Sequence, residues 1–232
     1  MDSPFVRRRR FLRTTWVVSV TTAFLAIAAW GLFGPATTAS RPAAATARVS
    51  EGLVSDVVDG DTFLLEKGVS VRLKGIDAPE RNRRGYAEAE RTLRDLVLGK
   101  RVTLSYDADD WHDQYDRLLA YIRTPEGGSV NERLLETGWA WIYRVSTRSK
   151  PFTSLLTLQR QAIEARRGVW RDLPEIEEFL VGNRSSRVVH RTDCVMALRM
   201  SPRNREPFSR LREAFWEGYS PCRECLVWPP GE

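Results

Sequence analysis

Short apolar runs, each ended by a turn signal, fill the stretch 53–143 and predict β-strands. Valine, leucine, isoleucine and tyrosine dominate these runs. Such residues pack well on a pleated, half-buried surface, and the glycines, prolines and aspartates between them are typical of turns. The predicted strands are 53–58, 62–65, 69–76, 101–106, 118–123 and 139–143.

Three other stretches repeat apolar residues every three or four positions, which predicts amphipathic helices at 87–97, 131–137 and 152–167. Gly138 and Gly168 follow the second and third stretches and are typical helix stop signals. Composition alone indicates only an α+β fold. The number and Greek-key-like spacing of the strands favour a small OB-type β-barrel that carries three helices.

The amino-terminal pattern differs from the rest. Residues 14–33 carry no charge and follow a basic flank at 1–13, and their length suits one helical crossing of a membrane. Since basic flanks stay cytoplasmic, the following domain is expected outside the cytoplasm. The alternative is a cleaved secretory signal with a small-residue site at 45–47, which would make the protein secreted. The length of the uncharged run favours a membrane anchor, and 34–48 is expected to be a flexible tether.

The charge of the chain gives no support for nucleic-acid binding. The net charge is +6 and the sequence pI about 9.5, but seven arginines lie before residue 49 with Asp2 as the single acid. These residues account for the whole excess, so the remainder is neutral overall. With 232 residues and 42% hydrophobic composition, the chain can bury one ordinary core and a smaller second unit.

Carboxylates and arginines recur in three motifs, at 59–62, 72–80 and 113–117. Cleaving a phosphodiester requires a cation at a phosphate oxygen, a base for water and fixed positive charge. Taken singly, a turn aspartate or a surface ion pair explains each residue. Their joint order favours a metal-dependent phosphodiesterase, and the all-oxygen ligand set points to calcium, magnesium or manganese. The side chains are Asp61, Arg72, Asp77, Glu80 and Arg117.

These motifs resemble the thermonuclease (staphylococcal nuclease, SNase-like) family over 49–170, about half of the chain. The similarity rests on six blocks in the same order: VDGDTFLL, VRLKGIDAPE, GYAEAERTLRDLV, DQYDRLLAYI, VNERLLETGWA and RRGVW. The family implies a small barrel with three helices and a calcium-dependent endonuclease, a hydrolase of DNA or RNA with little sequence preference. It implies no organic cofactor.

The resemblance also implies a ligand set for Ca2+, formed by Asp61, Asp77 and the backbone carbonyl of Ala78. Where the family has a threonine after the second aspartate, this chain has Ala78. The alanine keeps a carbonyl ligand but lacks the hydroxyl group.

The remaining roles are carried over in the same way. The resemblance implies Glu80 as the base that holds the attacking water, and Arg72 and Arg117 as the phosphate-binding arginines. Tyr115 corresponds to the tyrosine that packs on the nucleotide, and Tyr143 is the candidate for a second nucleotide-binding ring. The alternative function is a non-catalytic barrel that binds nucleic acid or a partner at the cell envelope.

A second set of motifs lies near the carboxyl terminus, at 190–194 and 218–225. They resemble the metal-binding module of Ada repair proteins, which implies Zn2+. His190, Cys194 and the pair Cys222 and Cys225 form a Cys3His set, which is a common tetrahedral zinc shell. A disulfide is the alternative in an oxidising compartment. It would leave one cysteine over, so the count favours zinc.

The motifs divide the chain into units beyond the amino-terminal 48 residues. We expect the SNase-like nuclease domain at 49–171, an acidic linker at 172–182 and the Ada-like Cys/His module at 183–228. A module of this size needs a metal or a disulfide to hold it together.

Overall fold

The structure is a computed structural model that describes residues 49–107, 109–174 and 177–231, with only the backbone described at 177 and 178. The predicted basic flank, membrane or signal segment and tether lie outside the described residues. All described residues belong to one compact unit. No helix within them is both long enough and apolar enough to span a membrane.

The first part of the unit contains seven strands and three helices in the described residues. In chain order they are β1 (Glu51–Val57), β2 (Thr62–Leu65), β3 (Ser70–Leu73), β4 (Ile76–Asp77), α1 (Tyr86–Val97), β5 (Arg101–Ser105), β6 (Leu118–Arg123), α2 (Val130–Thr137), β7 (Trp141–Ile142) and α3 (Lys150–Glu164). Five strands close into a barrel in the order β1-β2-β3-β6-β5, and β4 pairs with β7. The expected α+β fold, a five-stranded closed barrel with three longer helices, is confirmed.

The barrel forms because alternate strand residues point inward. Val102 and Leu104 of β5 and Leu118, Ala120 and Ile122 of β6 are buried, while their neighbours along each strand are more exposed. The β3–β6 pairing is parallel, and the other barrel pairings are antiparallel. The core fills the barrel and extends under all three helices.

Most predicted elements agree with the structure to within two residues at each end, and two show larger changes. The predicted strand 69–76 is divided into β3 and β4, because Gly75 between them has a φ of 80°. The third predicted helix ends at Glu164 instead of residue 167. Arg166 has a φ of 51°, and a left-handed residue cannot continue an α-helix.

The second part of the unit is a four-stranded sheet with two short helices. Its elements are β8 (Glu177–Asn183), β9 (Val188–Arg191), α4 (Val195–Leu198), β10 (Arg205–Arg210), α5 (Leu211–Trp216) and β11 (Ser220–Pro221), with strand order β10-β8-β9-β11. Most of β8 falls in 172–182, which the sequence analysis treats as a linker. Its backbone pairs with β10 on one side and β9 on the other, so it forms a central strand despite its acidic start.

A hydrophobic cluster separate from the barrel core joins the two parts. The Trp170 ring centroid lies 4.9 Å from that of Phe215 and 6.4 Å from that of Trp228. The buried Gln159 of α3 accepts a hydrogen bond from the Ile142 N–H at 2.7 Å and donates one to the Phe215 carbonyl at 2.5 Å. Because this buried amide is hydrogen-bonded on both sides, it fixes the carboxyl-terminal sheet against the barrel.

Candidate active site

A cleft of about 430 Å³ lies at the barrel rim, and we call it the carboxylate cleft. The structure brings most of the predicted site residues together there. Asp77 lies beneath it, is buried, and contacts Arg72. The cleft is lined by Asp59, Gly60, Asp61, Ser70, Arg72, Ala78, Pro79, Glu80, Tyr115, Arg117 and Arg223.

A tight turn before β2 places Asp61 in the cleft. The Asp59 carboxylate accepts a hydrogen bond from the Asp61 N–H at 3.0 Å, as in an Asx turn. Gly60 allows the turn to pack closely against Ala89 of α1 and Ala78 after β4. A Cβ at Gly60 would lie 2.6 Å from that of Ala89 and 2.8 Å from that of Ala78, so no other residue fits without displacement.

The buried carboxylate of Asp61 accepts hydrogen bonds from three donors. Its Oδ1 accepts from Arg72 Nη1 and, at 3.0 Å, from the Thr62 hydroxyl. Its Oδ2 accepts from the Ala78 N–H at 3.1 Å. Burial raises the pKa of Asp61 to about 8, outweighing the opposite effect of Arg72.

Arg72 joins the two aspartates. Its Nη2 donates to Asp77 Oδ1 at 2.5 Å, and its side chain is only 11% exposed. Burial lowers the pKa of Arg72, but Asp61 and Asp77 raise it by more, so the guanidinium stays charged. The register of the barrel places Arg72 beside Asp61, because Arg72 is paired with Thr62 of β2, the residue that follows Asp61.

The donor set fits a divalent cation. Two buried carboxylates share one buried guanidinium, and Glu80 adds a third carboxylate at the cleft. The pKa of Asp61, raised by burial, reflects the unfavourable negative charge that a divalent cation would compensate. The ligands are all oxygen, which suits calcium or magnesium.

Arg117 reaches the cleft from the start of β6. Its Nε and Nη2 donate to Asp113 Oδ2 at 2.8 and 2.7 Å, and its Nη1 donates to the Thr62 hydroxyl at 3.4 Å. The Arg117 guanidinium lies 5.4 Å from the centroid of the Tyr115 ring, which is 71% exposed. Asp113 orients Arg117 and is a site residue that the sequence analysis missed, although it lies in the same motif.

Tyr143 lies in a second cleft of about 400 Å³ that adjoins the first. The Arg144 and Arg223 guanidinium carbons lie 5.2 and 5.5 Å from its ring centroid. Tyr143 is therefore placed beside the carboxylate cleft and not within it. The two clefts share Arg72, Tyr115, Arg117 and Arg223.

Arg223 is the second site residue that the sequence analysis missed. Its Nη2 lies 2.7 Å from Asp77 Oδ1 and 3.3 Å from Glu80 Oε1. Arg223 is 146 residues from Asp77 along the chain. The sequence carries no local signal for this contact, since the arginine merely stands between two cysteines.

The four predicted Cys/His residues converge on one point. The ligand atoms of His190, Cys194, Cys222 and Cys225 all lie within 4.8 Å of one another, and the three cysteines are free. Burial lowers the pKa of His190, which favours the neutral imidazole that binds metals. This Cys/His cluster could hold a zinc ion.

Comparison with known proteins identifies the family of the chain. The family model described as staphylococcal nuclease homologue matches residues 70–172. An uncharacterized endonuclease of Escherichia coli O157:H7 is 33% identical over 132 residues, covering 56% of this chain and 82% of that protein. Micrococcal nuclease of Shigella flexneri is 29% identical over 148 residues, covering 59% and 82%. Endonuclease YncB of Bacillus subtilis is 34% identical over 103 residues, covering 39% and 48%. The chain therefore belongs to the staphylococcal nuclease homologue family and is a thermonuclease-like endonuclease, a hydrolase of phosphodiester bonds.

Proposed function

We propose that the protein is a calcium-dependent nuclease that hydrolyses DNA or RNA with little sequence preference. The observation that carries the proposal is the carboxylate cleft, where Asp61 and Asp77 flank the buried Arg72 and Glu80 stands at the rim. Asp61, Asp77 and the Ala78 carbonyl would hold the calcium ion. When bound, the ion would neutralise charge on a phosphate oxygen.

The remaining catalytic roles fall to side chains of the cleft. Glu80 is 63% exposed, so it can reach a water molecule and take its proton as the water oxygen attacks phosphorus in line. Arg72 and Arg117 supply fixed positive charge for the oxygens of the crowded phosphorus centre. The family resemblance implies that the bond between phosphorus and the 5′ oxygen breaks. One product then ends in a 3′-phosphate and the other begins with a free 5′-hydroxyl, which takes up a proton.

The exposed ring of Tyr115 and the half-buried ring of Tyr143 suit contact with bases. A ring face stacks on any base, so such contacts add affinity without selecting a sequence. Both tyrosines stand beside arginine side chains, which places positive charge next to each stacking surface. This arrangement supports single-stranded or locally opened nucleic acid as the substrate.

Calcium is expected to be required for cleavage, and its apparent affinity is expected to rise with pH. Calcium binds the ionised form of Asp61, and the pKa of about 8 means that binding below this pH displaces a proton. The apparent dissociation constant should fall by up to about tenfold per pH unit between about 4 and 8 and level off above. Titrating plasmid and RNA cleavage with calcium in a pH series measures both effects.

Chelation of calcium is the control for this experiment. Cleavage that persists at the same rate after chelation would contradict the role of calcium. A calcium affinity that does not change with pH would contradict the assignment of Asp61 as a ligand.

We include zinc in the proposal as the ion of the Cys/His cluster. The Cys3His set, its convergence within 4.8 Å and its resemblance to the Ada module support this. Metal analysis of the purified protein should find about one zinc ion per chain. Replacing Cys222 by serine should reduce that content, and an unchanged content would contradict the assignment.

Location outside the cytoplasm is also part of the proposal. The uncharged run 14–33 after a basic flank supports it, and calcium outside cells fills even weak sites. Cell fractionation with mass spectrometry of the mature amino terminus distinguishes an anchored protein from a secreted one. Recovery of the protein in the cytoplasm would contradict both.

A further inference from the structure

The loop between Cys222 and Cys225 connects the Cys/His cluster to the active site. Arg223 directly follows Cys222, and its Nη2 contacts Asp77 Oδ1 at 2.7 Å and Glu80 Oε1 at 3.3 Å. These two carboxylates have roles in the proposed mechanism, as a metal ligand and as the base. A residue of the loop after β11 is therefore part of the wall of the carboxylate cleft.

Arg223 differs from the other two arginines of the site in exposure. Its side chain is 52% exposed, whereas that of Arg72 is 11% and that of Arg117 is 24% exposed. Arg72 bridges the two buried aspartates, and Arg117 is held by Asp113. Arg223 thus presents the most accessible guanidinium at the cleft.

The Arg223 guanidinium has donors to spare for a substrate. Both of its carboxylate contacts use Nη2, and within the described residues its other nitrogens have no carboxylate partner. A guanidinium carries five N–H groups in a planar fork that matches phosphate oxygens. Arg223 also lines both adjoining clefts, so it lies where the backbone of a nucleic acid would pass from one to the other.

The loop that carries Arg223 is held at both ends beside the Cys/His cluster. Arg223 belongs to none of the described strands or helices. Its loop is held at one end by the Cys222 N–H, which donates to the Val189 carbonyl at 2.9 Å. At the other end the Cys225 sulfur accepts from the Arg191 N–H at 3.4 Å. A metal ion bound by the flanking cysteines would fix both ends of this short loop to β9.

We propose that Arg223 binds a substrate phosphate and that zinc in the Cys/His cluster holds Arg223 in position. This inference rests on the proposed function, because it needs both cleavage at the barrel and zinc in the cluster. The zinc ion thereby controls how well the enzyme binds nucleic acid, although it lies outside the reacting centre. A side chain fixed before binding loses less conformational entropy when the complex forms.

Steady-state kinetics of Arg223→Ala in the full protein test the phosphate contact. KM should rise about tenfold or more, as for loss of a charge-assisted hydrogen bond, with a smaller change in kcat. Each phosphate contact adds about 0.7 to 0.9 to the slope of log affinity against log salt. The slope of log kcat/KM against log salt should therefore become shallower by about that amount. Arg203→Ala, which removes an exposed arginine in the short 3-10 turn before β10, is the matched control and should keep the wild-type slope.

Removing zinc tests the link to the cluster. A chelator that binds zinc much more tightly than calcium should raise KM and flatten the salt slope of the wild type, as Arg223→Ala does. The same treatment should have little further effect on Arg223→Ala, because non-additive effects identify residues that act together. Arg223→Ala should keep its zinc and its unfolding midpoint, so its kinetics do not depend on loss of the fold.

Several outcomes would overturn the inference. One is an Arg223→Ala variant with wild-type KM and salt slope. Another is a variant that changes only the calcium requirement, which would show that Arg223 acts on the metal site through Asp77 and Glu80 instead of binding phosphate. A third is a variant as sensitive to zinc removal as the wild type. A wild-type protein that cleaves nothing at any calcium concentration would instead overturn the proposed function, and this inference with it.

Discussion

Replacement of Glu80 by glutamine is expected to lower kcat by about 10²- to 10⁴-fold, the usual contribution of a general base. Glutamine has nearly the same size but cannot accept the proton of the attacking water. The 63% exposed side chain contributes little to packing, so the free energy of unfolding should stay within about 0.5 kcal/mol of wild type. Single-turnover cleavage of a labelled oligonucleotide at saturating calcium measures the loss.

Glu88→Gln provides the matched control for this variant. Glu88 is an exposed glutamate in the first turn of α1, outside both clefts. It should keep wild-type activity, since the same change of charge occurs away from the cleft. Wild-type kcat in Glu80→Gln would show that another group activates the water, and the mechanism would have to be abandoned.

Replacement of Arg72 by methionine is expected to destabilise the protein by about 3–5 kcal/mol in the absence of calcium. The change leaves the buried carboxylates of Asp61 and Asp77 without the guanidinium that joins them. Calcium should restore more stability to this variant than to the wild type, because the ion compensates the same carboxylates. Urea unfolding with and without calcium measures both effects.

An exposed ion pair supplies the comparison. Arg101 Nη1 lies 3.8 Å from Glu51 Oε1, and both side chains are 61% exposed. Arg101→Met should therefore cost at most about 1 kcal/mol. If Arg72→Met lost no more stability than Arg101→Met, the buried pair would not have the structural importance assigned to it.

The part of the site built from neighbouring segments could be predicted from the sequence. Asp61, Arg72 and Asp77 lie in or beside β2, β3 and β4, which follow one another along the chain. Turn residues mark the limits of these strands: Gly60 lies just before β2, and Gly75 separates β3 from β4. The predicted bounds of β2 and β6 agree with the structure because turn signals flank both strands.

Arg223 could not be predicted in this way, because its position depends on packing between distant segments. Trp170 and Trp228 bring the carboxyl-terminal sheet against the barrel, and no local pattern specifies which surfaces meet.

Strand β8 was not predicted from the sequence for a related reason. Its acidic start resembles a solvated linker, and its strand character comes from the partners on both sides.

The packing of Trp170 shows that the stable folded unit extends beyond the segment that matches the family model. The match to the family model ends at residue 172, yet the rings that pack on Trp170 come from Phe215 and Trp228. A fragment trimmed to the homologous boundary would turn this aromatic surface toward water and leave the Gln159 amide without its acceptor. Such a surface favours aggregation. The barrel and the carboxyl-terminal sheet should therefore be produced and purified together.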